Sequence, residues 1–222
     1  MSFRFQDRAE AGRMLAGNLA SYAGRPEVVV LGLPRGGVPV AYEVARRLGA
    51  PLDVFLVRKL GVPGHEELAM GAIASGDVCW VNDDVVKMLG IAQPAIDAAI
   101  ARERRELERR QSAFREGPPI ELRDRVVILV DDGLATGATM RAAALAVRAH
   151  HPKRVVVAVP VAEGGTVKQF EREVAETVCV LTPENFEGVG QWYKDFTQTG
   201  EEEARALLSA AKSRLGDHAP VS

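Results

Sequence analysis

The sequence is short of several things at once. It carries two cysteines, Cys79 and Cys179, each inside an apolar run. That is too few for a disulfide framework or a structural zinc site, and it fits a reducing compartment. Neither sign of charge dominates: 28 Lys and Arg face 30 Asp and Glu, for a net charge of −2. Such a balance argues against a chain that holds nucleic acid by bulk charge. Long hydrophobic runs are absent too. The longest, Val155 to Ala162, is eight residues, far below the ~20 that span a bilayer. The opening residues, Met1 to Arg8, lack the apolar core of a signal peptide. The expectation is a cytoplasmic protein with no membrane partner. There is also no internal repeat and no low-complexity tract.

What is present reads as one globular α/β domain. The 222 residues are 47% hydrophobic and 26% charged, and α/β folds commonly reach this length as one unit. Apolar runs at 27–33, 52–57, 126–130, 154–159 and 176–181 predict strands, with helices at 38–48 and 138–149 between them. Continuous Val, Ile and Leu runs suit strands covered on both faces, and strand–helix–strand order implies a mostly parallel central sheet flanked by helices. Residues 7–23 predict an N-terminal helix with Met14, Leu15 and Leu19 as its apolar stripe, and 201–214 a C-terminal helix. Residues 59–77 hold four glycines and read as a long flexible loop of the kind that forms lids. Residues 94–116 predict a charged helix with Pro94 in its first turn and Ile96, Ile100, Leu107 and Phe114 as an incomplete seam. Its mixed-sign run Arg102-Glu103-Arg104-Arg105-Glu106 reads as a solvated face. The chain thus divides into a core at about 25–183, a charged helical insertion at about 84–116, and a small hood with C-terminal segment at about 184–215.

The most informative stretch runs Val126-Val127-Ile128-Leu129-Val130-Asp131-Asp132-Gly133-Leu134-Ala135-Thr136-Gly137-Ala138-Thr139. A buried strand delivers two acids to its carboxyl end, a short loop follows, and a helix begins. Backbone N–H groups and a helix N-terminus converge there into an anion cradle. Gly137 allows close backbone approach, and Thr136 and Thr139 add hydroxyl donors. Asp131 and Asp132 are badly placed for phosphate itself but suited to sugar hydroxyls, or to a metal ion through water. The Gly-Lys-Ser/Thr ending of a nucleoside-triphosphate loop is missing, as are Gly-x-Gly-x-x-Gly after a strand and a Gly-x-Ser-x-Gly elbow. The bland reading is a strand–turn–helix whose aspartates only cap.

This segment resembles the phosphoribosyl pyrophosphate (PRPP) signature of type I phosphoribosyltransferases. The resemblance implies that Asp131 and Asp132 hold the ribose 2- and 3-hydroxyls and that Leu134, Ala135, Thr136, Gly137, Ala138 and Thr139, with Gly133 before them, cradle the 5-phosphate. Family members often carry a further acid in this loop to handle the proton of the base. Ala135 stands at that position here, as it does in adenine-type members. The resemblance also implies a pyrophosphate loop at the end of the first core strand, where Leu33-Pro34-Arg35-Gly36-Gly37 stands. There Gly36 and Gly37 free the backbone, and Arg35 offers a bidentate fork. It further implies basic residues at Arg58 and Lys59, beside a loop that closes over the pyrophosphate.

The remaining candidates stay open. His65, Glu66 and Glu67 are the nearby proton acceptors in the glycine-rich segment. Trp192 and Tyr193, with Asp195 and Phe196, either stack on a planar base or glue the C-terminal helix to the core. The function the resemblance implies is transfer of a 5-phosphoribosyl group from PRPP to a nitrogen nucleophile of a small-molecule acceptor, with Mg2+ carried by PRPP, in a homodimer. Arg35, Lys59, Asp131 and Asp132 would carry the catalysis. The competing readings are a catalytically silent PRPP or nucleotide sensor, and a phosphoryl-handling enzyme with Asp131 as nucleophile.

Overall fold

The structure is a computed structural model that describes residues 3–76, 78–114 and 118–216. Along the chain come α1 (Arg8–Asn18), β1 (Val28–Gly32), α2 (Gly37–Leu48), β2 (Leu52–Val54), β3 (Val57–Val62), β4 (His65–Ala74) and β5 (Val78–Val81). They are followed by α3 (Asp83–Leu89), α4 (Gln93–Phe114), β6 (Val126–Val130), α5 (Ala138–Arg148), β7 (Arg154–Val161), α6 (Gly164–Glu173), β8 (Glu176–Leu181) and α7 (Glu201–Gly216). A five-stranded parallel sheet in the order β2-β1-β6-β7-β8 forms the centre, and β3-β4-β5 form a separate antiparallel sheet. No helix among the described residues is long and apolar enough to cross a membrane.

The expected α/β architecture follows from strand parity. In β1, β6 and β7 both side-chain sets are apolar, so each face of the sheet can be covered. Val29, Leu31, Val127, Leu129 and Val157 face α5 and α6, where they meet Met140, Val147 and Phe170. Val28, Val30, Ile128, Val130 and Val156 face α1 and α2, where they meet Leu15, Leu19, Val40, Val44 and Leu48. Each such side chain contributes ~1.5–3 kcal/mol relative to exposure. In-register pairing of Gly32 with Val130 brings the carboxyl ends of β1 and β6 level. The loops expected to bind anions therefore emerge side by side.

Four expectations need correction. The 52–57 run is not one strand: β2 ends at Val54, the Phe55 amide still donates to the Gly32 carbonyl at 3.0 Å, and Leu56 then turns to the second sheet, where its amide donates to Ser75 Oγ at 3.1 Å. The 59–77 segment is not a loop. It is mostly a β3–β4 hairpin turning at Pro63-Gly64, with its register shifted between Leu60 and Val62. Its glycines read as flexibility in the sequence, but Gly71 serves packing: a Cβ there would press into the Trp80 carbonyl and reach within 3.1 Å of Val81 Cα on β5. The charged region is two helices, α3 and α4. Ile96, Ala99, Leu107 and Phe114 of α4 join Leu60, Val62, Met70 and Ile73 of the hairpin in a third apolar cluster, so α4 roofs the small sheet. Its residues 115 and 116 lie outside the described ones. The N-terminal helix is shorter than expected, ending at Asn18, with a 3₁₀ turn at Ala20–Tyr22.

Candidate functional site

Asp131 and Asp132 stand directly after β6, at the carboxyl edge of the sheet. Asp131 Oδ1 accepts the Asp132 amide at 2.9 Å. Burial pushes the Asp131 carboxyl well above the usual carboxylate range, and the charge of Asp132 pushes the same way. Asp132 is raised as well, by burial against the opposing pull of Arg8. Two adjacent buried acids, both raised, are the kind of arrangement found at functional sites as well as in structural networks.

The loop after them is pinned from behind. Leu134 bridges to Ala162 in parallel, its amide donating to the Val161 carbonyl at 2.9 Å and its carbonyl accepting the Glu163 amide at 3.0 Å. Thr166 Oγ1 donates to the Ala135 carbonyl at 2.8 Å, and Glu163 caps α6 through the amides of Gly165 and Thr166. Gly137 takes φ +71° before α5, and a Cβ there would lie 2.6 Å from Phe170 Cε2. Among the described residues the amides of Ala135, Thr136 and Gly137 have no hydrogen-bond partner, while Ala135, Thr136, Ala138 and Thr139 are exposed and Leu134 is buried. A rigid loop with unspent N–H donors at a helix N-terminus is the form of an anion cradle.

The second predicted loop joins it. The Pro34–Arg35 peptide is cis, and Gly36 and Gly37 lead into α2. A Cβ on Gly36 would collide with the Asp132 carboxylate, and one on Gly37 would lie 2.7 Å from the Val130 carbonyl and 3.0 Å from Asp131 Oδ1. Glycine is required at both places because this backbone packs directly on the acids. The sequence placed each of these loops at the end of a strand; the fold makes the two strands neighbours and puts the loops in contact.

Arg58 and Lys59 part company. Arg58 Nε and Nη2 donate to Glu103 Oε2 of α4 at 2.9 and 2.7 Å, so its guanidinium is paired with a roof carboxylate in this structure. Burial alone would raise Glu103, but hydrogen bonds from Arg102 and Arg58 bring it below the usual range. Alternation in β3 puts Lys59 on the other face, with Val57, which packs against the cluster containing Met140 and Ala143 of α5. Lys59 is exposed.

In the hood, Tyr193 is 3% exposed, its ring lies 5.4 Å from that of Phe5 and 5.1 Å from that of Phe196, and its hydroxyl donates to the Asp132 carbonyl at 2.6 Å. The structure thus places this ring in a packed aromatic cluster beside Asp132. Burial, with the negative Asp132 next, pushes its phenol far up. Trp192 is half-buried, and its Nε1 has no partner among the described residues. Asp195 is exposed and caps Thr197 through its amide and hydroxyl. His65 is exposed, and the side chains of Glu66 and Glu67 lie outside the described residues.

Two contributors escaped sequence reasoning. Arg8, at the start of α1, donates through Nε to Asp132 Oδ2 at 2.9 Å, and nothing local in Asp7-Arg8-Ala9 signals a partner 124 residues away. The Glu163–Thr166 cap was legible only as a helix start, not as a support for Ala135. No group of three or more His, Cys, Asp or Glu able to hold a metal occurs among the described residues.

The phosphoribosyl transferase domain family matches residues 4–195. Proteins of two Mycobacterium tuberculosis strains, both provisionally named phosphoribosyl transferases, are 50% identical over 208 residues, 93% of this chain and 47% of theirs. The chain thus spans about half the length of these curated relatives. The crystal structure of TT1426 from Thermus thermophilus is 43% identical, with a TM-score of 0.82, over 93% of this chain and 98% of that one.

Proposed function

From the premise that the chain belongs to the phosphoribosyl transferase family, we propose that it moves a 5-phosphoribosyl group from PRPP to a nitrogen of a small-molecule acceptor, a nucleobase in the first instance, releasing pyrophosphate. The observation that carries the reading is the direct packing of the Gly36-Gly37 backbone on Asp131 and Asp132. It supports a reading in which the Arg35 loop, the two acids and the loop that follows them serve one ligand.

In this reading the unspent amides of Ala135, Thr136 and Gly137, with the hydroxyls of Thr136 and Thr139, hold the 5-phosphate. Asp131 and Asp132 accept from the ribose hydroxyls and orient the anomeric carbon. As the bond to pyrophosphate breaks, the sugar becomes oxocarbenium-like and negative charge grows on the leaving group. Arg35 and Lys59, with N–H groups of the Gly36-Gly37 loop, meet that charge without reorganising. Two carboxylates beside a phosphate cradle fit a Mg2+ carried by PRPP that would meet Asp131 or Asp132 through water. Bound there, the ion would neutralise pyrophosphate charge.

Proton removal from the acceptor has no carboxylate at Ala135. Glu163, the acid strapped behind that position, is held below its ordinary range by the amides of Gly165 and Thr166, which makes it a weak base. The groups left for that step in this reading are the acceptors named from the sequence, His65, Glu66 and Glu67.

The test is calorimetric titration with PRPP and Mg2+, beside an Asp131→Asn/Asp132→Asn variant, then a panel of bases scored by pyrophosphate release. Binding by the wild type alone supports the site. A folded wild type that binds no PRPP overturns it.

A further inference from the structure

The N-terminal segment and the hood are sewn together over Asp132. Phe5 donates its amide to the Trp192 carbonyl at 2.8 Å, and the amides of Lys194 and Asp195 donate back to the carbonyls of Phe5 and Gln6 at 2.8 and 2.9 Å. Asp7 then caps α1 by accepting the Glu10 amide at 2.7 Å, which fixes where Arg8 starts. The Arg8 guanidinium is gripped on three sides. Its Nε donates to Asp132 Oδ2 at 2.9 Å, its Nη1 donates to the Thr197 carbonyl at 2.7 Å, and its carbon lies 4.0 Å from the centre of the Phe196 ring. The two paired side chains are 11% and 16% exposed. An exposed pair of this kind contributes little, but a charged hydrogen bond held in so enclosed a place has a defined direction.

We propose that Arg8 is a positioning residue for the reaction: by claiming Oδ2 of Asp132 it orients the carboxylate so that the other oxygen, Oδ1, serves a sugar hydroxyl. The proposal rests on the reading of Asp132 as a ribose ligand and extends it to a residue at the opposite end of the chain. Tyr193 supports the same residue from its backbone side, donating to the Asp132 carbonyl. Gly36 closes the remaining side, since a side chain there would occupy the carboxylate's space. Asp132 is thus held at its carboxylate by the N-terminal segment and at its carbonyl by the hood. Arg8 itself touches no reacting atom in this arrangement.

A strut that merely stabilised the fold would weaken every ligand alike when removed; a positioning residue weakens only ligands with hydroxyls to place. The experiment therefore titrates ribose 5-phosphate and 2,3-dideoxyribose 5-phosphate into the wild type and Arg8→Met. The wild type is expected to prefer the hydroxylated sugar by roughly 10–100-fold, the value of a charge-assisted hydrogen bond. Arg8→Met should lose most of that preference while binding the dideoxy sugar within about threefold of the wild type. Equal losses for both sugars would overturn the proposal and leave Arg8 a strut. A wild type that binds both sugars equally would overturn it differently, by removing Asp132 from the ribose site altogether. If Arg8→Met does not fold, Arg8→Lys decides. Its ammonium keeps the charge but not the fork joining Asp132 to Thr197, so the preference should fall to an intermediate value, and a preference equal to the wild type's would refute the orienting role.

Discussion

Replacing Gly137 with alanine tests whether the phosphate loop has the shape described. The residue sits at φ +71° with Phe170 Cε2 at 2.6 Å, Thr166 Cγ2 at 3.0 Å and Phe170 Cζ at 3.3 Å from where a Cβ would stand. An L-residue in the left-handed region costs ~1–2 kcal/mol. Overpacking against Phe170, which is fully buried, costs a further ~1–3 kcal/mol, and the stiffer unfolded chain returns ~0.4–1 kcal/mol. The net loss is about 1–4.5 kcal/mol, a fall in Tm of roughly 2–18 °C for a domain of this size. Urea unfolding followed by far-ultraviolet circular dichroism measures it. Two companions separate the causes. Gly137→Asn accepts the left-handed backbone more readily yet still meets the ring, whereas Gly137→Ala/Phe170→Leu keeps the backbone strain and removes the ring. The cycle formed with Phe170→Leu should show a favourable coupling of ~1–3 kcal/mol. A Gly137→Ala protein within ~0.5 kcal/mol of the wild type, or a cycle without coupling, would refute the loop geometry.

Asp131→Asn should stabilise the unliganded protein while weakening PRPP binding at least tenfold. Because burial and Asp132 raise this acid in the folded state, its ionisation opposes folding as pH climbs from the unfolded value of ~3.9 through the folded one. The Asn variant should have a higher Tm at pH 7 and a flatter profile below it, and a lower Tm would refute the sign. Tyr193→Phe removes the bond to the Asp132 carbonyl and should cost ~1 kcal/mol, about 2–4 °C in Tm, visible by calorimetry. Glu103→Gln leaves Arg58 and Arg102 with a neutral partner. Amide exchange should quicken in β3 to β5 but stay unchanged in β6; uniform quickening would argue against α4 as a local roof. Since Glu103 is held below the ordinary carboxylate range, its contribution to stability is present above the unfolded pKa and disappears as pH falls through the folded one. Acid should therefore loosen the same hairpin.

The parallel sheet was legible because its evidence is local. Five apolar runs with both parities filled, and helical patterns between them, leave little other than strands covered on two faces. The Asp131-to-Thr139 motif was legible for a related reason: acids, glycine and hydroxyls adjacent in sequence must stay adjacent in space. The 59–77 segment misled because glycine carries two meanings, freedom and close approach, and only the presence of β5 against Gly71 selects the second. Arg58 and Lys59 were indistinguishable as neighbours in a string. Strand alternation set them on opposite faces, and α4, folding back with Glu103, decided which face was already occupied. The packing of Tyr193 against Phe5 and Asp132 joins segments far apart in the sequence and was not legible there. Sequence by itself determined the fold class and the strand–loop–helix that joins Asp131 to Thr139, since both are written in residues within a turn or two of each other. Tertiary structure alone decided which cation serves which acid, because the partnership of Arg8 with Asp132 exists only once the two ends of the chain have been brought together.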